Sequence, residues 1–162
     1  MALKYLIPFL IFIPLAALQI VVVPFITVQN ISPNLIIVLL VFYTLKNGQM
    51  FGTLLGFLLG FIFDLISGGI LGAYMFSFTI GAFITGYFFN ENKLDINISS
   101  FFFTLIVFIC ASITLFLYSS VANKNDDVKM IYQIVEDGIL PGIFTALFSI
   151  PIVIFNPKKG ME

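Results

Sequence analysis

The chain has 162 residues, of which 60% are hydrophobic and 9% charged, and its formal net charge is −1. A soluble domain carries about 25% charged residues, so this composition excludes one and predicts an integral membrane protein. The near-neutral charge and the lack of arginine argue against a nucleic-acid partner, while a single cysteine and no histidine exclude an internal disulfide and histidine-based metal or catalytic sites. We therefore expect no cofactor.

The hydrophobic runs predict an all-α, polytopic fold with six transmembrane helices, because a bilayer core of about 30 Å needs roughly 20 helical residues. Residues 5–45 carry no formal charge and are too long for one span, and the polar stretch "TVQNISP" divides them. "SGG" at 67–69 divides the next run, and the polar stretches 90–99 and 122–129 separate the rest. The single transmembrane domain should then hold helices at about 4–24, 33–45, 48–66, 70–89, 98–120 and 138–155.

The ends of these predicted helices set the orientation. Apolar residues continue past Ala16 and Ala17, which favours a first span over a cleaved signal peptide. Segment 128–137 is amphipathic and is expected to lie at the membrane interface before the last helix. Lysine placement puts both termini in the cytoplasm, since five lysines fall on one side (Lys4, Lys46, Lys93, Lys158 and Lys159) and two on the other (Lys124 and Lys129).

Glycines recur every four residues in "GQMFGTLLGFLLGFIFDLISGG", residues 48–69. Residues four apart lie nearly on one helix face, so these glycines predict a groove that admits another backbone closely. The neighbour is either a helix of the same chain or a helix of another protein. The predicted helix-packing glycines are Gly48, Gly52, Gly56 and Gly60, with Gly72 beyond the turn.

Asp64 is an acid in this apolar helix, near its predicted extracytoplasmic end. We expect it to cap backbone N–H groups and to join a structural polar cluster with Asn34, Ser67 and Asp137, to which Asn30 and Glu136 are further candidates. Paired carboxylates also serve aspartyl peptidases. However, neither "FIFDLISGG" nor "VEDGILPG" carries the flanking residues of those enzymes, so the sequence favours a non-enzymatic role.

Residues 32–88 resemble the core of MreD, the rod shape-determining membrane protein family. That family has a proline followed by an acid, a basic-Gly turn, a Gly-rich helix and an Asp-Leu-hydrophobic-Ser-Gly element. The matching positions are Pro33, Lys46 to Gly48, Gly52, Gly56, Gly60, Asp64, Leu65, Ser67, Gly68 and Gly72. The chain departs from the pattern at Asn34, where the family has the acid.

The resemblance implies a non-enzymatic part of the bacterial elongation machinery in the inner membrane. Its partner would be the single-span periplasmic coiled-coil protein MreC, and the pair would couple MreB filaments to the glycosyltransferase RodA and its transpeptidase partner. The fold implied is similar to the substrate-binding membrane subunit of vitamin-uptake transporters. That similarity leaves a second interpretation open, a small-molecule-binding transporter subunit with a polar cavity between its helices.

A periplasmic partner entering its own membrane span would pass segment 128–137. This segment carries an apolar stripe at helical spacing, formed by Val128, Ile131, Ile134 and Val135. The stripe either contacts the MreC-like partner or rests on the lipid headgroups, and the sequence favours neither.

Overall fold

The computed structural model describes residues 3–27, 31–89, 101–122 and 130–155, and this part of the chain is helical. Its helices are α1 (Leu3–Val21), α2 (Val23–Ile26), α3 (Leu35–Asn47), α4 (Gln49–Ser67), α5 (Ala73–Gly86), α6 (Phe101–Ala122), α7 (Met130–Gln133) and α8 (Leu140–Phe155), with a π-helical segment (Ile134–Ile139) between the last two. The prediction of an all-α chain is confirmed for these residues.

Among the described residues, three helical stretches are long and apolar enough to cross a membrane: Gln49–Ser67, Phe101–Ala122 and Ile134–Pro151. Three shorter apolar stretches accompany them: Ile7–Val21, Leu35–Asn47 and Ala73–Gly86. A helix of the length of α3 reaches only about 20 Å. Six complete spans therefore stay a prediction.

Helix α3 is the centre of the bundle. Its residues Ile36 to Val41 are all buried, and Tyr43, Thr44 and Leu45 extend the buried surface toward its end. A helix that is hydrophobic on all sides is enclosed by others, and α3 contacts α1, α4, α5, α6 and α8. Helix α3 is therefore enclosed along its length by neighbouring helices.

Two antiparallel pairs flank α3. Helix α4 packs against α5, and α6 packs against α8, with the most extensive contacts among the described helices. Gly48 alone separates α3 from α4, and five residues separate α4 from α5, so consecutive helices reverse direction. As a result, the start of α3, the start of α5 and the end of α6 meet at one end of the bundle, which we call the polar end.

The last segment differs from the predicted arrangement of an interfacial helix followed by a separate span. Residues 130–155 are helical throughout, and the π-helical segment joins α7 to α8. Pro141 has no N–H to donate to the carbonyl of Asp137, so the regular hydrogen-bond ladder cannot continue through this turn. Instead, the N–H of Leu140 donates to the carbonyl of Val135.

Candidate functional site

Asp64 caps helix α5 from the neighbouring helix α4. Its side chain is 1% exposed, and its two carboxylate oxygens accept three backbone hydrogen bonds. The N–H groups of Gly72 and Met75 donate to Oδ2 at 2.9 and 3.0 Å, and the N–H of Tyr74 donates to Oδ1 at 3.1 Å. The first N–H groups of a helix have no partner within it, and a carboxylate there is also favoured by the helix dipole. Asp64 thus fastens the end of α4 to the start of α5.

Asn34 caps α3 at the polar end. Its Oδ1 accepts the N–H groups of Ile36 and Ile37 at 3.1 and 3.3 Å, which is the usual bonding of an N-cap asparagine. Its own backbone N–H donates to the hydroxyl of Thr145 at 3.0 Å, and that hydroxyl donates to the carbonyl of Pro141. Asn34 therefore ties the start of α3 to α8.

Gln19 completes the cap of α3 from helix α1. Its Oε1 accepts the N–H of Leu35, and its Nε2 donates to the carbonyl of Pro33, both at 2.9 Å. Sequence reasoning missed this residue. The available signal was a lone amide side chain in the apolar run that precedes "TVQNISP".

A cavity of about 250 Å³ opens at the polar end among α1, α3, α5, α6 and the π-helical segment. Asn34 and Asp137 of the predicted polar cluster line it, and so does Glu136. Its wall also includes Gln19, Tyr74 and Tyr118. The structure therefore brings together residues from five segments that are distant in sequence.

The other members of the predicted cluster lie elsewhere. Asp64 does not line the cavity, and the backbone of Tyr74 is its link to the cavity wall. Ser67 is exposed, and its hydroxyl lies 3.5 Å from the carbonyl of Asp64. Asn30 lies outside the described residues. The cluster is thus two separate groups, one that caps α5 and one that surrounds the cavity.

Asp137 is fixed by the end of α6. Its Oδ2 accepts a hydrogen bond from the hydroxyl of Ser119, and the side chain of Gln133 donates to the same hydroxyl at 3.2 Å. Both oxygens of Asp64 are occupied by backbone donors, so Asp64 and Asp137 are not arranged as a pair of carboxylates sharing one site. Within the described ranges, no three His, Cys, Asp or Glu side chains form a group able to hold a metal ion.

Three glycines of α4 lie against helices of the same chain. A Cβ added to Gly52 would collide with the side chain of Thr44 in α3. A Cβ added to Gly56 would lie 2.6 Å from the carbonyl oxygen of Phe78, and one added to Gly60 would lie 2.5 Å from Cα of Met75. The groove is therefore filled by α3 and α5 along these positions.

Gly48 and Gly72, which were predicted to be helix-packing glycines, do not make close contacts of this kind. A Cβ added to Gly48 would meet the ring of Phe89 at 3.5 Å, an ordinary contact, and one added to Gly72 would have no neighbour within 4 Å. Both have positive φ, +94° and +96°, a conformation that side chains with a Cβ rarely adopt. These two glycines are required by the turns before α4 and α5 rather than by close packing.

Close glycine contacts also occur outside the predicted set. Gly138 and Gly142 pack on α6, where an added Cβ on Gly138 would lie 3.2 Å from Cβ of Phe116, and one on Gly142 would collide with Ser112. Gly81 in α5 similarly faces Thr114. The four-residue spacing of Gly138 and Gly142 was the signal, although a single pair is weaker than a run of four.

The predicted partner-contact stripe is exposed where it is described. Ile131 is 78% exposed, and Ile134 and Val135 are also exposed. Val128 lies outside the described residues. The stripe is thus accessible along the start of the last helical segment.

Replacing Asn34 with alanine is expected to lower the stability of the purified protein by about 1 kcal/mol, the usual effect of losing an N-cap side chain. Asn34→Ser should retain most of the stability, because serine is a comparable cap. Serine is preferred to aspartate here, since aspartate would add a third carboxylate beside Glu136 and Asp137. Thermal unfolding in detergent measures both variants, and an alanine variant as stable as the wild type would contradict the capping role.

Comparison with known proteins gives one finding about the family. The family model described as rod shape-determining protein MreD matches residues 1–159. No solved structure and no curated protein matches the chain. The family match agrees with the apolar helices, with the glycines facing α3 and α5, and with the resemblance carried by residues 32–88. The chain belongs to the MreD family and is a rod shape-determining integral membrane protein, a structural component rather than a known type of enzyme.

Proposed function

We propose that this protein is a non-enzymatic scaffold of the bacterial elongation complex. It pairs with an MreC-like single-span periplasmic protein and so links MreB filaments in the cytoplasm to peptidoglycan synthesis by RodA and its transpeptidase partner. In this proposal the protein lies in the inner membrane with both termini in the cytoplasm, and lipid covers exposed side chains such as Leu10, Leu54 and Leu147. The observation that carries the proposal is the family match over residues 1–159.

The use of polar side chains supports a scaffold. Asn34, Asp64 and Gln19 are committed to backbone groups at the ends of helices. Such bonds fix helix ends in a medium without water, where each unpaired backbone group is costly. A rigid framework with fixed ends presents a constant surface to partner proteins.

The cavity at the polar end is the observation that favours a second candidate, a small-molecule-binding subunit of an uptake transporter. Its volume of about 250 Å³ lies below the range of about 300–1,000 Å³ that is usual for ligand pockets. The glycine-lined groove predicted from the sequence is filled by the chain itself along Gly52, Gly56 and Gly60. We therefore favour the scaffold.

Co-purification separates the two candidates. The chain, tagged at its C-terminus and extracted in mild detergent, should recover an MreC-like protein identified by mass spectrometry. The untagged chain, expressed at equal level and carried through the same purification, serves as the control for non-specific recovery. Recovery of transporter ATPase subunits in place of an MreC-like protein would contradict the scaffold proposal.

A cysteine at Ile131 is expected to cross-link to the juxtamembrane region of the MreC-like partner. Ile131 belongs to the exposed stripe, and the native Cys110 is buried, so background reaction should be low. Met50 is 90% exposed at the start of α4, on the predicted cytoplasmic side, and Met50→Cys is the matched control. Cross-links formed by Met50→Cys and not by Ile131→Cys would place the contact at the opposite end of the bundle.

A further inference from the structure

The cavity at the polar end carries negative charge. Glu136 and Asp137 line it, and no basic side chain is among the described residues of its wall. Ser119 occupies Oδ2 of Asp137, while Oδ1 has no partner within the described part of the chain. Asp137 is half-buried and Glu136 is exposed, and two adjacent carboxylates at the cavity favour a positively charged occupant, most strongly beside the half-buried Asp137, where water screens charge less.

Asn34 adds a buried donor to the same cavity. Its side chain is 3% exposed, and its Oδ1 accepts both N–H groups at the start of α3. These two bonds fix which way the amide faces, so Nδ2 is turned away from the helix. No acceptor for Nδ2 is found among the described residues. Nδ2 is not among the fully enclosed polar atoms that lack a partner, so it is open to the cavity, where an occupant that carries an oxygen acceptor would bond it.

A tyrosine wall borders the same cavity. The rings of Tyr74 and Tyr118 are stacked, with centroids 3.9 Å apart and planes inclined by 20°, and both residues line the cavity. Each ring covers one face of the other, so only the outer side of the stack is available to a cation, and aromatic faces attract ammonium and guanidinium groups. A Ca²⁺ ion, in contrast, needs six to eight oxygen ligands, to which an amide N–H₂ and an aromatic ring contribute nothing.

We propose that this cavity binds an organic cation, an ammonium or guanidinium group that carries a nearby oxygen acceptor. The cation lies between the carboxylates of Glu136 and Asp137 and the tyrosine wall, and the acceptor receives Nδ2 of Asn34. The small volume suits one such group rather than a vitamin-sized ligand. A free amine and a lysine or arginine side chain with its backbone carbonyl share this chemistry. The proposal does not depend on the scaffold role.

Binding is measured by calorimetry on the full chain in neutral detergent. The probes are N-acetyl-arginine amide and N-acetyl-lysine amide, and N-acetyl-citrulline amide is the matched neutral analogue of the arginine probe. At least one charged probe should bind about tenfold or more tightly than the citrulline analogue, as expected for a charge-assisted interaction. Equal binding of the charged probe and citrulline amide, or binding of Ca²⁺ in preference to both charged probes, would overturn the proposal.

Variants locate the site. Asp137→Asn and Glu136→Gln should each lower the affinity for the charged probe by about tenfold. Asp137→Asn retains an oxygen for Ser119, and Glu136 is exposed, so both proteins should fold. Asp95→Asn, in the polar stretch 90–99, is the control and should leave the affinity unchanged. Loss of affinity in the control alone would overturn the assignment.

Two further binding experiments identify the source of the cation. A lysine within a short alanine peptide should bind at least as well as N-acetyl-lysine amide if a partner protein supplies the group, whereas binding of the amino-acid amides alone indicates a small amine. Either result supports the site. Lys124 and Lys129 lie in sequence between Ala122 and Glu136, two residues of the cavity wall. If the probe binds only to the Lys124→Gln, Lys129→Gln double variant, a lysine of the chain itself occupies the cavity. That result would overturn the proposal.

Discussion

Gly60→Ala is expected to destabilise the protein, although alanine is the better helix former by about 1 kcal/mol. The added Cβ would lie 2.5 Å from Cα and 2.8 Å from N of Met75, and 2.7 Å from the carbonyl oxygen of Tyr74. These are backbone atoms, which cannot rotate away as a flexible side chain can. Helices α4 and α5 must separate, and overpacking of this kind costs about 1–3 kcal/mol or more. The net effect should be a lower unfolding midpoint in detergent.

Gly69→Ala is the matched control for this substitution. Its added Cβ would lie 3.7 Å from the hydroxyl oxygen of Ser67, an ordinary contact, so stability should change little. A Gly60→Ala protein that is more stable than the wild type would show that helix propensity outweighs the contact and that α4 and α5 are farther apart.

Within α4, Gly56→Leu should reduce both stability and partner recovery more than Leu58→Ala, because Leu58 is exposed.

Asp64→Leu is expected to abolish rescue of rod shape in cells depleted of the native protein. Leucine leaves the N–H groups of Gly72, Tyr74 and Met75 without acceptors, and each unsatisfied buried group costs about 1–3 kcal/mol. The junction between α4 and α5 would open in a medium that cannot supply water in its place. The protein should therefore accumulate poorly or fail to assemble.

Asp64→Asn should give an intermediate phenotype. The asparagine oxygen can accept the N–H groups of Gly72 and Met75, which both use Oδ2 of the aspartate. Its N–H₂ group then faces the N–H of Tyr74, so one of three bonds is lost. Cell shape and protein level are scored together for both variants. If Asn fails as completely as Leu while both proteins accumulate normally, the negative charge itself is required and capping alone is insufficient.

Features set by the spacing of nearby residues could be predicted from the sequence. The glycines at 52, 56 and 60 lie on one face of a helix by geometry alone, and they are the positions where an added Cβ meets α3 or α5. Asp64 lies eight residues before Gly72, so a turn at "SGG" brings them together with little freedom. The family resemblance rested on the same segment, and the family match confirms it.

Features set by long-range packing could not be predicted from the sequence. Thr145 lies 111 residues from Asn34, and no local pattern marks it as the partner of that backbone N–H. The sequence analysis placed Asn34 and Asp137 in one polar cluster, but the position of Gln19 beside them depends on how five segments pack. Gly48 and Gly72 were assigned to packing because spacing and resemblance say nothing about the sign of φ. The π-helical turn was also missed, since its cause is the combination of Pro141 with continuous helix on both sides.

The bond between Asn34 and Thr145 has a consequence for biogenesis. The ribosome delivers α3 to the membrane long before α8 exists, so the N–H of Asn34 must wait for a hydroxyl that is synthesised 111 residues later. Until then the start of α3 is held by Gln19 and by its own side chain. The polar end is therefore closed only after α8 has been synthesised, and a nascent chain that stops before α8 lacks the hydroxyl that receives this N–H.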